Sequence, residues 1–141
     1  MGKLKVLHVS TAKSWRGGEQ QLAYLMEELN AKIDQWVICT ANSSFEEYAK
    51  NSGFNYFSQS KSNGFDIPFA KRIAKICKER QIDIIHTHDS HAHTFAFLSV
   101  QLFINRSSIV VSRRVDFPIK KGWLSKLKYN HSSIKKIVCV S

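Results

Sequence analysis

The feature that most constrains this chain is a regular alternation of short apolar runs with longer segments of helical periodicity. Apolar runs rich in β-branched residues predict six strands, at residues 5–11, 35–41, 55–60, 82–88, 108–114 and 136–141. Apolar side chains at helical spacing predict helices between them, at residues 19–32, 43–53, from Pro68 onward, 91–104 and in part of 120–129. Alternation of this kind is typical of a parallel sheet with helices on both faces.

We therefore predict an α/β fold, a Rossmann-like doubly wound parallel sheet of about six strands in the order 3-2-1-4-5-6. With 141 residues, the chain has the length of a single domain, and we assign residues 1–141 to it. The last residue is also the last residue of a predicted strand. Since α/β domains normally continue beyond such a strand, we expect a further domain outside this sequence.

The basic residues are concentrated in the last third of the chain. The net charge is +10, and nine of the 21 Lys and Arg residues but only one of the 11 acidic residues lie from Arg106 onward. Such a surface suits an anionic partner such as lipid headgroups, phosphorylated sugars or nucleic acid, or it simply aids solubility. The sequence has neither a secretory signal nor the ~20 apolar residues of a membrane span. Three widely spaced cysteines predict buried free thiols in a reducing, cytoplasmic compartment.

Two polar loops are expected to share one crevice. In a doubly wound sheet, ligands bind beyond the carboxyl ends of the strands where the strand order reverses, here between strands one and four. The loop "AKSWRGGEQ" follows strand one, and the loop "HDSHAH" follows strand four. The predicted strand order therefore places the candidate site between them.

The glycine pair Gly17-Gly18, followed by Glu19, allows two interpretations. Glycines beside a helix N-terminus let the backbone approach a phosphate or another anion. They also suit a tight turn with positive φ. The stretch is neither a dinucleotide fingerprint nor a P-loop.

The histidine-rich stretch contains the candidate catalytic residue. His88 and Asp89 lie at a strand end where they can reach a substrate, and imidazole serves there as base, acid or hydrogen-bond donor. A metal site is the rival interpretation, because His86 and His88 could chelate an ion at the strand end. Against it, His91 and His93 begin a helix and point in different directions, so they cannot easily converge on the same ion. We do not expect a metal, and we interpret His86 as a packed, hydrogen-bonded histidine.

Two basic segments complete the candidates. Arg113 and Arg114 end strand five, and at most one of them faces the crevice, where its guanidinium would suit a phosphate or an acidic sugar. The alternative interpretation is a surface pair of arginines near Asp116. The stretch "KKGWLSKLKY" predicts either a helix on an anionic membrane surface or, more simply, the core-facing side of a helix.

Taken together, these motifs resemble the N-terminal domain of retaining GT-B glycosyltransferases of family 4. The matching stretches are "KVLHVS", "RGGEQQLAYLMEEL", "IDIIHTHDSHAHTFAFL", "IVVSRRVDFP" and "KKIVCVS", in the order and spacing of the family. They cover nearly the whole chain. The wording of "SRRVDFP" and "HDSHAH" is similar to that of bacterial cell-envelope members.

The resemblance implies an acceptor-binding half of a two-domain enzyme whose C-terminal, donor-binding half is absent here. Gly17, Gly18 and Glu19 would approach the diphosphate of a nucleotide-sugar donor, and His88 would lie near the reacting sugar as the catalytic residue. We assign acceptor binding to Asp89, His91, Arg113 and Arg114. The implied acceptor is a lipid-linked sugar or a lipopolysaccharide core, at the inner face of the cytoplasmic membrane, and neither a metal nor another cofactor is expected.

Two other classes remain as alternatives. One is a stand-alone Rossmann-type module that binds phosphate or nucleotide. The other is a basic nucleic-acid-binding domain, but no recognition helix or aromatic RNA platform is evident, so no nucleic acid is expected. If the family resemblance holds, the 141-residue chain alone should not catalyse transfer.

Overall fold

The computed structural model describes residues 2–62, 64–113 and 134–139, with backbone only at 113 and 134–139. Strands and helices alternate between residues 5 and 113 as predicted. The strands are β1 (Lys5–Ser10), β2 (Asp34–Thr40), β3 (Tyr56–Gln59), β4 (Ile84–Thr87), β5 (Ser108–Arg113) and β6 (Ile134–Cys139). The helices are α1 (Gly17–Leu29), α2 (Ser44–Ser52), α3 (Ile67–Arg80) and α4 (Ser90–Phe103). The helix predicted within 120–129 lies outside the described residues.

The six strands form one parallel sheet in the order β3-β2-β1-β4-β5-β6. This confirms the predicted doubly wound topology. The strand order reverses between β1 and β4, where His8 pairs in register with His86. The carboxyl ends of these two strands therefore define the switch point at which such sheets bind ligands.

Apolar side chains cover both faces of the sheet. On one face, Leu7 and Ile85 pack in a core beneath α3 and α4, where the rings of Phe69 and Phe95 lie 4.9 Å apart. On the other face, Val37 packs with residues of α1 and α2, namely Leu22, Ala23, Met26, Phe45 and Ala49. Each fully buried side chain of this size contributes about 1.5–3 kcal/mol of transfer free energy. The two cores hold the strand ends in a fixed relation.

The helix boundaries follow from local capping. The side chains of Ser43, Asp66 and Asp89 accept hydrogen bonds from backbone N–H groups in the first turns of α2, α3 and α4. Helix α2 ends at Gly53, whose φ of 76° lies in the left-handed region that favours glycine. In the described part of the chain, no helix is both long and apolar enough to cross a membrane.

Candidate functional site

The loops that follow β1 and β4 are joined by a hydrogen-bonded contact between Thr11 and Asp89. The backbone N–H of Thr11 donates to Oδ2 of Asp89 at 2.7 Å, and the Thr11 hydroxyl donates to Oδ1 at 2.6 Å. The N–H of Ala92 donates to the same Oδ1 at 2.8 Å, so Asp89 also caps α4. The two polar loops thus lie together at the switch point, as their places in the sequence indicated. Both oxygens of Asp89 have partners within the protein.

The glycine pair begins helix α1 rather than forming a turn. Gly17 and Gly18 are its first two residues, and Gly53 alone among the described glycines has a positive φ. The tight-turn interpretation is therefore wrong. Gly17 is exposed, and a Cβ added to it would meet no atom within 4 Å. Neither strain nor packing demands glycine at position 17, and the predicted approach of a donor phosphate to this helix N-terminus stays a prediction.

Glu19 has a structural role at the same helix start. Its Oε2 accepts a hydrogen bond from the backbone N–H of Arg16 at 2.9 Å, and its side chain is buried. A carboxylate in this position satisfies a backbone donor and interacts favourably with the helix dipole. The predicted contribution of Glu19 to donor binding stays a prediction.

The loop between β1 and α1 is held in place by Trp15. The Trp15 ring stacks on Phe45 with centroids 5.6 Å apart and an interplanar angle of 9°, and it lies 5.2 Å from the ring of Tyr48. The N–H of Ser44 donates to the carbonyl of Lys13 at 3.0 Å, which attaches the loop to the start of α2. The loop geometry is therefore set by contacts within the protein.

Three histidines on neighbouring strands form a cluster below the crevice. Ring nitrogens of His8, His86 and His88 lie within 4.8 Å of one another. Nδ1 of His8 is 3.1 Å from Nε2 of His88. His86 is half-buried, and its Nε2 is 2.6 Å from Oγ of Ser112, which fits the predicted hydrogen-bonded histidine. Sequence reasoning missed His8; the available signal was a histidine inside the otherwise apolar first strand, at the register position of His86.

A cluster of three imidazoles is also a set of ligands that suits a metal ion. Both nitrogens of His8 take part in hydrogen bonds, one to His88 and one to Gln35. A metal ion would therefore have to displace the contact between His8 and His88. Neither His91 nor His93 belongs to this group, which in the described part of the chain consists of His8 in β1, His86 in β4 and His88 directly after β4.

The remaining predicted acceptor residues are described to different extents: His91 in full, Arg113 in its backbone alone, and Arg114 not at all. His91 is exposed at the start of α4, where its Nε2 would lie 3.5 Å from a Cβ placed on Gly64. Arg113 ends β5, the strand next to β4, and its side chain lies outside the described residues, as does the whole of Arg114. Their contacts with an acceptor stay predictions.

The cysteines whose side chains are described do not belong to the site. Cys39 and Cys77 are buried free thiols, as predicted. Burial, together with the nearby charge of Glu46, raises the pKa of Cys39 to about 12. Burial also raises the pKa of Cys77. Neither thiol is therefore suited to act as a nucleophile.

The fold and the site define a class: a Rossmann-like α/β domain with a candidate ligand site at its switch point. A narrower identification comes from the sequence itself. Residues 15–141 match Glycosyltransferase Family 4. The chain belongs to this family, which confirms the resemblance seen in its motifs.

Solved structures of glycosyltransferases have the same fold. A glycosyltransferase from Rickettsia africae matches with a TM-score of 0.71 and 18% identity, over 100% of this chain and 38% of its own. Anabaena Alr3699/HepE in complex with UDP gives a TM-score of 0.71 and 13% identity, over 90% and 35% of the two chains. MurG from Acinetobacter baumannii matches with a TM-score of 0.69 and 9% identity, over 96% of this chain and 41% of its own. The chain thus spans about two fifths or less of each of these proteins. Comparison with curated proteins gives no match.

Proposed function

We propose that this chain is the acceptor-binding domain of a glycosyltransferase that moves a sugar from a nucleotide-sugar donor to an acceptor with retention of configuration. Membership of Glycosyltransferase Family 4 carries the proposal. The joined loops at the switch point support it, because they bring the start of α1 and the end of β4 to the same edge of the sheet. We further propose a lipid-linked or lipopolysaccharide-type acceptor and a cytoplasmic location, peripheral at the inner face of the membrane.

The donor in this proposal is a nucleotide sugar held mainly by a second domain. Structures of Anabaena HepE contain UDP or UDP-glucose, and this chain corresponds to about a third of that protein. The exposed N-terminus of α1, with Gly17 and Gly18, would meet the donor diphosphate from this side of the cleft. Backbone N–H groups and the helix dipole favour a negative charge there.

The acceptor and the reacting sugar lie at the end of β4 in this proposal. His88 contacts the sugar as the catalytic residue, while His91, Arg113 and Arg114 contact the acceptor. Asp89 also contacts the acceptor in this proposal, and its bonds to Thr11 and Ala92 hold the loop that carries His88. In this proposal the transfer requires neither a metal nor another cofactor, because Arg113, Arg114 and the N-terminus of α1 would supply the positive charge.

The test compares the 141-residue chain alone with the same chain joined to a donor-binding domain of the family. Radiolabelled sugar transfer and UDP-sugar hydrolysis are measured for both. We expect turnover only in the joined protein and loss of it in His88→Ala, with Trp36→Phe on the distant part of β2 as the matched control. Robust turnover by the isolated chain would refute the proposal. Micromolar binding of UDP to the isolated chain, without turnover in either protein, would favour the stand-alone nucleotide-binding module.

A further inference from the structure

The cluster of His8, His86 and His88 has the composition of a metal site. We propose that these three side chains bind a divalent transition-metal ion such as Zn²⁺, and that the bound ion inhibits sugar transfer by occupying His88. The ion is not a cofactor of the transfer, which needs no metal in the proposed function. Binding of the ion does not depend on the proposed function, whereas inhibition rests on it.

The donor set determines which ions suit the cluster. One ring nitrogen from each of the three histidines lies within 4.8 Å of the others. Three imidazoles, with a water molecule in the fourth position, form one of the tetrahedral zinc sites that proteins use. Magnesium and calcium prefer oxygen ligands, whereas imidazole suits zinc, copper, nickel and iron. The cluster therefore favours a transition-metal ion.

Two of the nitrogens already have nearly the separation that a shared ion requires. Nδ1 of His8 lies 3.1 Å from Nε2 of His88, and two nitrogens bound tetrahedrally to one zinc ion are about 3.4 Å apart. The nitrogen of His86 must approach by at most about 1.4 Å, the difference between 4.8 Å and that spacing. His86 is half-buried and the other two are buried, so the adjustment falls on the least enclosed ring.

The ion would replace a contact that His8 and His88 now make with each other. That contact holds one hydrogen between Nδ1 of His8 and Nε2 of His88. When both nitrogens bind the ion, this hydrogen leaves, either to the other ring nitrogen of His88 or to solvent as a proton. Because a ligating nitrogen must be deprotonated, the affinity for the ion falls as the pH falls.

Gln35 holds His8 in the orientation that a metal ligand needs. The amide nitrogen of Gln35 donates to the carbonyl of Met26 at 2.6 Å, and its Oε1 lies 3.1 Å from Nε2 of His8. An amide oxygen can only accept, so Nε2 of His8 carries a hydrogen whether the ring is neutral or charged. The same ring then directs Nδ1 toward the cluster. Metal-ligating histidines commonly donate their other N–H to an acceptor of this kind, which orients the ring.

The backbone holds the three ligands on neighbouring strands. His8 and His86 are register partners in the parallel pair of β1 and β4. The N–H of His88 donates to the carbonyl of Val9 at 3.1 Å, which continues this pairing past the end of β4. The Nε2 atom of His86 lies 2.6 Å from Oγ of Ser112 on β5. The folded sheet thus brings the ligands together before any ion binds, as a metal site requires.

Occupation of the site would affect His88 directly. In the proposed function, His88 contacts the reacting sugar. An ion on its Nε2 removes that nitrogen from acid–base use and from hydrogen bonding, and it places two positive charges beside the sugar. Transfer should therefore fall in proportion to the fraction of the protein that holds the ion.

Isothermal titration of the 141-residue chain with ZnCl₂ at pH 7.5 tests the site without any sugar. We expect one ion per chain with a micromolar or lower Kd, and weaker binding at pH 5.5. His86→Gln and His8→Phe each remove a ligand and should weaken binding more than about a hundredfold, whereas Gln35→Leu, an outer contact, should weaken it about tenfold. The matched control is His91→Asn on the exposed start of α4, which should bind as the wild type does. Absence of binding, or binding that both ligand variants retain, would overturn the site.

A spectrum of the wild-type chain decides the matter even if a core variant fails to fold. Two-bond proton–nitrogen correlations of the ¹⁵N-labelled chain are recorded before and after one equivalent of Zn²⁺. The ring nitrogens of His8, His86 and His88 should shift, whereas those of His91 and His93 should not. Unchanged signals of the first three rings would overturn the site, because the ion would then be bound elsewhere.

The effect on transfer is measured in the chain joined to a donor-binding domain. We expect full transfer in the presence of a chelator and about a tenfold loss when free Zn²⁺ is ten times its Kd. His86→Gln should transfer at the wild-type rate and keep that rate in zinc, since His86 contacts no substrate in the proposed function. Transfer that is unaffected by bound zinc, or that requires it, would overturn the inhibition. Absence of transfer with and without zinc would contradict the proposed function and the inhibition with it, while the titration still decides the site.

Discussion

The contact between Thr11 and Asp89 makes a quantitative prediction. Replacing Asp89 with alanine removes the N-cap of α4, at a cost of about 1 kcal/mol. It also leaves the buried N–H of Thr11 without its acceptor, at about 1–3 kcal/mol, and removes the hydroxyl bond, at about 1 kcal/mol. We therefore expect Asp89→Ala to lower the free energy of unfolding by about 4 kcal/mol.

More conservative substitutions separate the contributions of the two carboxylate oxygens to the free energy of unfolding. Asp89→Asn can keep Oδ1, which serves Ala92 and the Thr11 hydroxyl, but it places an amide N–H₂ opposite the N–H of Thr11. The expected cost is about 2 kcal/mol. Thr11→Val removes the hydroxyl bond alone and should cost about 1 kcal/mol.

Urea unfolding of the 141-residue chain, followed by circular dichroism, measures these differences. Ser43→Ala is the matched control, because the Ser43 hydroxyl caps α2 by accepting a hydrogen bond from the N–H of Glu46. It should cost about 1 kcal/mol. If Asp89→Ala costs no more than Ser43→Ala, the bonds to Thr11 contribute nothing beyond an ordinary cap and the reasoning fails.

Three further predictions concern single residues. Gly17→Ala should leave the free energy of unfolding unchanged or raise it by about 0.5 kcal/mol, because its site is open and helical. The same variant should weaken sugar transfer by the protein joined to a donor-binding domain, and unchanged transfer would contradict the assignment of the glycine pair to the donor site. Gly53→Ala should destabilise the chain by about 1 kcal/mol in urea, because alanine is strained at a φ of 76°; a neutral effect would contradict the left-handed cap. Cys39, with its pKa raised from 9.0 to about 12, should react with iodoacetamide at pH 8 about a thousandfold more slowly than an unshifted thiol of that reference pKa, on thiolate fraction alone. The rate of Cys39 alkylation in the folded chain is followed by mass spectrometry of the peptide. A rate equal to that of a thiol with the reference pKa would show that Cys39 is not buried.

The fold was predictable because its determinants are local. Apolar runs, the serine before α2 and the glycine after it mark element boundaries within a few residues of where they lie, and strand alternation with helices leaves few topologies to choose from. For the site, only its location in the fold was predictable, and not the contacts of its side chains. That the loops after β1 and β4 meet follows from strand order, whereas the partners of Asp89 depend on side-chain geometry.

His8 illustrates what pattern alone does not convey. In the sequence it is one polar residue in an apolar strand, and its significance arises only from the register that sets it beside His86 and close to His88. Glu19 is a second example. It follows two glycines and is assigned from the sequence to the donor loop, yet its carboxylate accepts from the N–H of Arg16. The usual capping pattern does not indicate this contact, because it has Ser or Thr, not Arg, three residues before the Glu.

The bonds between Thr11 and Asp89 also bear on the order in which the chain folds. They join residues 78 positions apart, so they form only after β4 has docked against β1. Closing so long a loop carries an entropic cost that local helices do not meet. The crevice is therefore expected to assemble late, after the elements between its two sides, and during synthesis it cannot exist until β4 has emerged. A partly folded chain would have helices and a partial sheet but no site.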